Sequence, residues 1–103
     1  MVVEFLAPAQ VEFDEAVAYY DSQQAGLGSQ FAKEVSFTLQ RILQYPEAWS
    51  PLSKRARRCR THKFPYGIIC QVRGDLLLVV AVMHLHREPR AWKSRLDEAR
   101  EQP

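Results

Sequence analysis

The sequence predicts an α+β domain in which a helical hairpin packs on one face of a small, mainly antiparallel twisted sheet. Two observations support this prediction. Helical periodicity occupies residues 9–44, and segments with strand character occupy residues 55–83. Helices that precede strands along a chain are typical of the α+β class. With 103 residues the chain can form one hydrophobic core but not two, so residues 1–103 are expected to be a single domain.

The first half of the chain predicts a short strand followed by two helices. Residues 2–6 combine β-branched and aromatic side chains, as strands do. Apolar residues then recur at helical spacing over residues 9–24 and 29–44, and glycines separate these segments. Two antiparallel helices are therefore expected. Their core positions are expected to be Phe13, Val17, Tyr20, Phe31, Val35, Leu39 and Ile42.

The second half predicts three strands, a tight turn and a short, highly charged helix. Residues 76–83 are apolar throughout, which is typical of a central strand covered on both faces, and Val80 is expected in the core. Helices are expected on only one face of the sheet, so the other face must be covered by something else or be a working surface. The segments are a loop at 46–54, strands at 55–63, 68–72 and 76–83, a hairpin turn at 73–75, and a helix at 90–101.

Charge divides the chain into an acidic half and a basic half. Residues 1–53 carry two basic and seven acidic side chains, a net charge of −5. Residues 54–103 carry twelve basic and five acidic side chains, a net charge of +7. This asymmetry favours a polyanion or an acidic protein as the partner of the second half, and a solubilising surface explains it equally well.

The densest basic segment is residues 54–63. Alternate residues of a strand share a face, so Arg58, Arg60 and His62 are expected to project together from the face without helices. Cations at this spacing suit repeated phosphates or carboxylates. An edge strand kept soluble by positive charge is the alternative.

A second cluster of basic and titratable residues follows the central strand. His84 and His86 are two residues apart and are expected to share a strand face, where they can accept or donate a proton near neutral pH. Surface histidines without a role are the alternative. The sequence has no metal-ligand spacing, glycine-rich phosphate loop or nucleophile motif, so no metal, cofactor or small-molecule substrate is expected.

The cysteines and the hydropathy pattern bear on the cellular compartment in which the protein is expected. Cys59 and Cys70 flank a predicted turn and are expected to be reduced core thiols. No apolar run reaches the ~18 residues of a membrane helix, and the N-terminus does not resemble a secretory signal. A cytoplasmic protein without membrane contact is expected.

Taken together, these segments resemble the RelE/ParE superfamily of toxins from bacterial type II toxin–antitoxin modules, a plasmid-stabilisation type of system. The helices agree with the resemblance over Phe13 to Tyr20 and Phe31 to Pro46. Its specific segments are Arg58 with Phe64-Pro65-Tyr66-Gly67, and Val80 to Pro89 with Trp92 and Arg95. The resemblance implies a helical hairpin on a twisted sheet, with a concave functional side. It also implies a small antitoxin protein that binds the toxin directly and neutralises it.

The resemblance implies two alternative activities. ParE-type members inhibit DNA gyrase, and this is the activity expected here. The basic C-terminal segment is then expected to bind the target through Arg87, Arg90, Trp92 and Arg95. RelE-type members cleave messenger RNA on the ribosome, and some of them use a C-terminal tyrosine. Tryptophan occupies that region here, and its side chain cannot transfer a proton. For the nuclease alternative the expected catalytic residues are Arg58, Arg60, Lys63, His84, His86 and Arg87, with no metal.

Overall fold

The computed structural model describes residues 1–86 together with Trp92, Lys93 and Arg95. It confirms the predicted α+β class, with two helices packed on an open five-stranded sheet. Of the predicted helix 90–101, only those three positions are described, and their backbone is helical. The elements are β1 (Val2–Phe5), α1 (Ala7–Gln23), α2 (Leu27–Gln44), β2 (Ser50–Pro51), β3 (Arg57–Arg60), β4 (Tyr66–Arg73) and β5 (Leu76–His84).

The helical hairpin depends on its two glycines. Gly26 adopts a φ of 87°, a left-handed conformation that glycine enters without steric cost, and this residue precedes the first turn of α2. Gly28 donates its backbone N–H to Asp21 Oδ1 at 2.8 Å. A Cβ atom at Gly28 would lie 2.5 Å from the carbonyl oxygen of Val17, so only glycine permits this close approach of the helices.

The sheet has the strand order β1-β5-β4-β3-β2. β1 pairs parallel with β5, and the other neighbouring strands pair antiparallel, as the prediction of a mainly antiparallel sheet requires. The predicted loop at 46–54 contains the two-residue strand β2, which pairs with β3. Among the described residues, no helix is long and apolar enough to cross a membrane.

The helices cover one face of the sheet and form the helix-side core. Phe31, Val35 and Ile42 of α2 are buried, as predicted. Phe13, Val17, Tyr20 and Leu39 are half-buried and pack against them. The buried residues of this core are Ala9, Ala16, Phe31, Val35, Ile42, Cys59, Ile68, Cys70, Leu77, Val79 and Val82.

The opposite face carries a separate apolar group, the second-face cluster. Its members are Ala56, Ile69, Leu78, Val80, Ala81, Met83 and Trp92. Val80 is fully buried, as predicted, but its neighbours belong to this cluster. Trp92 has only 5% of its surface exposed, so the chain itself contributes cover to the face without helices. Of the two expectations for this face, cover by something other than the helices is met in part by Trp92.

A β-bulge in β5 determines which residues reach which face. Ile69 pairs with Ala81, whereas Cys70 pairs with Val79, so Val80 has no partner of its own in the ladder. A bulge places an extra residue in one strand and reverses the alternation of side chains beyond it. Val80 and Ala81 therefore both lie in the second-face cluster, and Val82 lies in the helix-side core.

Candidate functional site

Two arginines of β3 lie on the second face of the sheet. Arg58 pairs with Ile69, and Arg60 pairs with Gly67, whereas Cys59 between them packs into the helix-side core. The prediction that Cys59 and the two arginines lie on opposite faces of the sheet is confirmed, because β3 is regular over these residues.

Arg58 lies in a pocket of about 290 Å³ on this face. Its aliphatic stem crosses Gly67, where an added Cβ atom would lie 3.1 Å from both Cγ and Cδ of the arginine. The Nε atom of Arg58 is buried and has no hydrogen-bond partner among the described residues. Apolar side chains, one histidine and one further cation line the pocket around it: Leu52, Ile69, Met83, His84, Leu85, Trp92 and Lys93.

Beyond Arg60 the expected alternation stops, because the chain leaves the strand. Thr61 is buried, and its hydroxyl lies 2.9 Å from the carbonyl oxygen of Phe64 and 3.0 Å from that of Tyr66, within a tight connection. Lys63 lies in this connection, exposed, with a φ of 68°. The structure thus places Arg60 and Lys63 in solvent at one end of the sheet.

His62 is turned toward the helices, so its predicted place beside Arg58 is wrong. Its backbone N–H donates to Glu34 Oε2 at 3.1 Å, and its Nε2 lies 3.0 Å from Nη1 of Arg41. Arg41 also donates to the carbonyl oxygen of Arg60 and stacks over Trp49. This arginine joins α2 to the end of β3, a role that its sequence position in the last helical turn did not reveal.

The two histidines after the central strand are neighbours, and His84 lines the Arg58 pocket. The ring centroids of His84 and His86 are 5.7 Å apart, and His84 Nδ1 accepts the backbone N–H of His86 at 3.2 Å. The His84 ring packs at 5.3 Å against Tyr66, whose ring contacts Phe31 of the helix-side core. His84 thus lines the Arg58 pocket, although the bulge at Val80 turns its ring toward Tyr66.

The predicted target-binding residues of the C-terminal segment have different surroundings. Trp92 is buried in the second-face cluster, and the Lys93 ammonium lies 5.9 Å from the centroid of its ring. Arg95 is largely buried in an ion pair with Glu12. Arg87 and Arg90 lie outside the described residues. Because only 5% of its surface is exposed, Trp92 presents little surface to a target protein.

The ion pair of Arg95 with Glu12 forms an edge clamp, which the sequence did not indicate. Arg95 donates to both carboxylate oxygens of Glu12, at 2.6 and 3.0 Å, and to the carbonyl oxygen of Val80 at 3.2 Å. Glu12 Oε1 accepts the backbone N–H of Val82 at 3.1 Å. The edge clamp satisfies backbone groups on β5 beyond Val79, the last residue that pairs with β1.

The two cysteines are buried free thiols on the helix side of the sheet, as predicted. Burial, and to a smaller extent the nearby Cys59, raise the pKa of Cys70 to about 12. Burial also raises the pKa of Cys59, and the charge of Arg41 opposes that shift. A protonated thiol is a weak nucleophile, so neither cysteine is a candidate for covalent chemistry. Within the described part of the chain, no three His, Cys, Asp or Glu residues are grouped to hold a metal ion.

Comparison with known proteins points to one family. A sequence model described as "ParE toxin of type II toxin-antitoxin system, parDE" matches residues 3–89. A solved structure titled "Chromosomal ParDE TA system from P. aeruginosa" superposes with a TM-score of 0.72 at 10% identity, and the match covers 84% of this chain and 97% of the other. No curated protein matches the sequence. At 10% identity the superposition shows only that the two chains share a fold. Membership of the family is shown by the match of the sequence model to residues 3–89.

Proposed function

The chain belongs to the ParE toxin family of type II toxin–antitoxin systems, and on that premise we propose that it arrests growth by inhibiting DNA gyrase in the cytoplasm. We further propose that a cognate antitoxin neutralises it by direct binding. In this mechanism the toxin binds a protein and breaks no bond itself. The observation that carries the proposal is the match to the family over residues 3–89.

The antitoxin is expected to bind at the edge of β5 and the adjoining surface of α1. β1 pairs with β5 only as far as Val79, so residues 80–84 have no neighbouring strand on that side among the described residues, and the edge clamp satisfies part of this edge. A cavity of about 780 Å³ lies beside this edge, and Tyr19, Pro65 and Val82 are among its lining residues. An extended peptide can add to such an edge through its backbone and place apolar side chains in the cavity.

The arrangement of the candidate residues favours binding over RNA cleavage. Ribonuclease chemistry without a metal requires a proton-transfer group close to the cations that stabilise the phosphate. His84 lines the same pocket as Arg58, but its ring packs at 5.3 Å against Tyr66 and its Nδ1 accepts the backbone N–H of His86. That nitrogen is already used as an acceptor, which disfavours His84 as the proton-transfer group for a phosphate at Arg58.

The decisive experiment uses purified protein in two parallel assays. Gyrase is incubated with DNA and the toxin, and gyrase-dependent DNA breaks and loss of supercoiling are measured. Translating ribosomes are incubated with the toxin, and cleavage of the messenger RNA is measured. We expect an effect in the first assay alone. Messenger cleavage without any effect on gyrase would reject the proposed activity and support the nuclease alternative.

Mutation of the basic surface tests whether it contributes to toxicity. We expect the paired change Arg58→Ala and Arg60→Ala, or Arg87→Ala alone, to abolish growth arrest. Loss of a charge-assisted contact with a partner costs about 1.5–3 kcal/mol. A folded double variant that still arrests growth like the wild type would remove Arg58 and Arg60 from the mechanism.

Antitoxin binding is tested separately and provides the folding control. The toxin and the product of its partner gene are mixed at micromolar concentration and analysed for a complex. We expect a complex for both the wild type and the double variant. Absence of a complex with the wild type would reject neutralisation by direct binding, whatever the outcome of the gyrase assay.

A further inference from the structure

Arg58 differs from the other half-buried arginines that the structure describes. Arg41 donates to Thr38 and the carbonyl oxygen of Arg60, and each of the remaining ones also has an acceptor. The acceptors are the carbonyl oxygen of Trp49 for Arg57, Gln71 Oε1 for Arg73, and Glu12 with the carbonyl oxygen of Val80 for Arg95. Arg58 has no acceptor among the described residues, and its Nε is inaccessible to solvent.

An unpaired donor on a half-buried guanidinium is costly, because its lost hydration is not replaced. The surroundings of Arg58 offer no replacement within the described part of the chain. Its pocket of about 290 Å³ contains no carboxylate from a described residue, and the other polar side chains that line it are Lys93, a second cation, and His84. Gly67 supports the stem of Arg58 by leaving room for it, so the guanidinium is held in the pocket.

We propose that the Arg58 pocket is a recognition site for one carboxylate side chain of the toxin's target protein, flanked on that protein by apolar residues. This inference rests on the proposed binding function and specifies its chemistry. Because Nε is closed to solvent, the two Nη groups of the planar guanidinium are the paired donors that match the two oxygens of a carboxylate. Leu52, Met83 and Leu85 supply the apolar wall for the flanking side chains.

The composition of the pocket favours a carboxylate of a protein over the phosphates of RNA. Single-stranded RNA is bound by a cationic groove along its backbone and by exposed aromatic rings on which bases stack. Two aromatic rings belong to residues that line this pocket. Trp92 is 5% exposed and packs into the second-face cluster, and the His84 ring packs at 5.3 Å against Tyr66. One fixed arginine in an apolar pocket instead matches a single acidic anchor. The pocket also adjoins the C-terminal segment through Trp92 and Lys93, where target contacts are expected.

A direct test follows the side-chain Nε–Hε signal of Arg58 by NMR in the full-length, isotope-labelled toxin. The probe is a blocked Leu-Asp-Leu tripeptide, and its matched control is Leu-Asn-Leu. We expect a saturable shift of the Arg58 signal with the aspartate peptide and binding about tenfold or more weaker with the asparagine peptide. Equal binding of the two peptides, or a stronger response to a five-residue oligouridylate, would overturn the inference.

A second test uses a substitution that retains charge but removes the paired donors. We expect Arg58→Lys to weaken gyrase binding and growth arrest about tenfold or more, whereas Arg55→Lys, at an exposed arginine outside the pocket, leaves both unchanged. Antitoxin affinity should be retained and shows that the variant is folded. Wild-type toxicity of Arg58→Lys, or loss of antitoxin affinity in place of target affinity, would contradict the proposal.

The two tests separate this inference from the proposed activity. If the wild type does not act on gyrase but the aspartate peptide binds and Arg58→Lys loses growth arrest, the pocket is upheld and gyrase is not the target. If the wild type inhibits gyrase and Arg58→Lys inhibits it equally, the activity is upheld and the pocket inference fails.

Discussion

The helix-side core and the second-face cluster share the same sheet but are completed in different ways. On the helix side, two helices close the core, and the ring of Phe31 contacts those of Phe13, Tyr20, Phe64 and Tyr66. On the second face, a smaller group of apolar side chains is covered in part by Trp92.

The half-buried arginines on the two sides of the sheet also differ. Arg41, which reaches the sheet from the helix side, is held by several acceptors, whereas Arg58 on the second face has none among the described residues. A buried donor without a partner calls for an explanation, and Trp49 Nε1 beside the helix-side core is a second such donor among the described residues. Arg58 is the charged one of the two and lines a pocket, so we interpret the second face as the side available for recognition and the helix side as the main source of stability. Variants on the two sides can test this division.

The largest effect is expected on the helix side, from Phe31→Ala. Phe31 is fully buried and lies at the centre of the aromatic contacts, so removal of its ring leaves a cavity. We expect the free energy of unfolding to fall by about 3–5 kcal/mol, measured by urea denaturation. Phe37, an exposed phenylalanine of the same helix, provides the control, because Phe37→Ala should cost under about 0.5 kcal/mol. Similar losses for both variants would contradict the packing described here.

On the second face, Trp92→Ala is expected to have a smaller effect on stability. Trp92 is nearly as buried as Phe31, but it packs against a smaller cluster and belongs to a segment outside the sheet. We expect a loss of about 2–4 kcal/mol in the free energy of unfolding. The same variant should bind an apolar dye more strongly, because Val80 and Met83 lose their cover. An unchanged stability would show that the second-face cluster does not depend on the C-terminal segment.

The edge clamp connects the two faces, and Glu12→Gln tests it. Glutamine keeps an oxygen that can accept the backbone N–H of Val82 but loses the ion pair with Arg95. The side chains of Glu12 and Arg95 are 26% and 16% exposed, so their interaction is only partly screened by water. We expect a loss of about 1–2 kcal/mol by urea denaturation. Glu15→Gln, on an exposed carboxylate of the same helix, should change stability by less than about 0.5 kcal/mol; an equal effect of both variants would contradict the clamp.

The sequence predicted the parts of this fold that depend on local pattern. The apolar spacing of Phe31, Val35 and Ile42 identified the buried face of α2. The alternation of Arg58, Cys59 and Arg60 showed which side chains of β3 lie on each face of the sheet. These predictions succeeded because periodicity within one regular element determines which side chains share a face.

Predictions failed where a local irregularity interrupts that periodicity. In a regular strand His84 would share a face with Val80, but the extra residue in β5 turns it toward Tyr66. A run of apolar residues contains no signal for the position of a bulge. His62 was misplaced because Thr61 forms hydrogen bonds that end the strand pattern after Arg60. The edge clamp between Glu12 and Arg95 joins residues far apart in sequence, and no local pattern reports such a pair.

The smallest effect is expected from the buried thiol of Cys70 on the helix side. Burial and the neighbouring Cys59 raise its pKa to about 12, from an ordinary value of 9.0. The folded state binds the thiol proton more tightly than the unfolded state does. The resulting contribution of Cys70 to the free energy of unfolding is therefore complete below pH 9 and declines as the pH rises toward 12. Between pH 8 and pH 10 the free energy of unfolding of the wild type should fall by about 1 kcal/mol more than that of Cys70→Ala. Other groups titrate alike in both proteins, so the difference between the two pH profiles isolates the thiol. Parallel profiles up to pH 10 would mean that folding does not raise the pKa of Cys70, and they would contradict the burial of this thiol in the helix-side core.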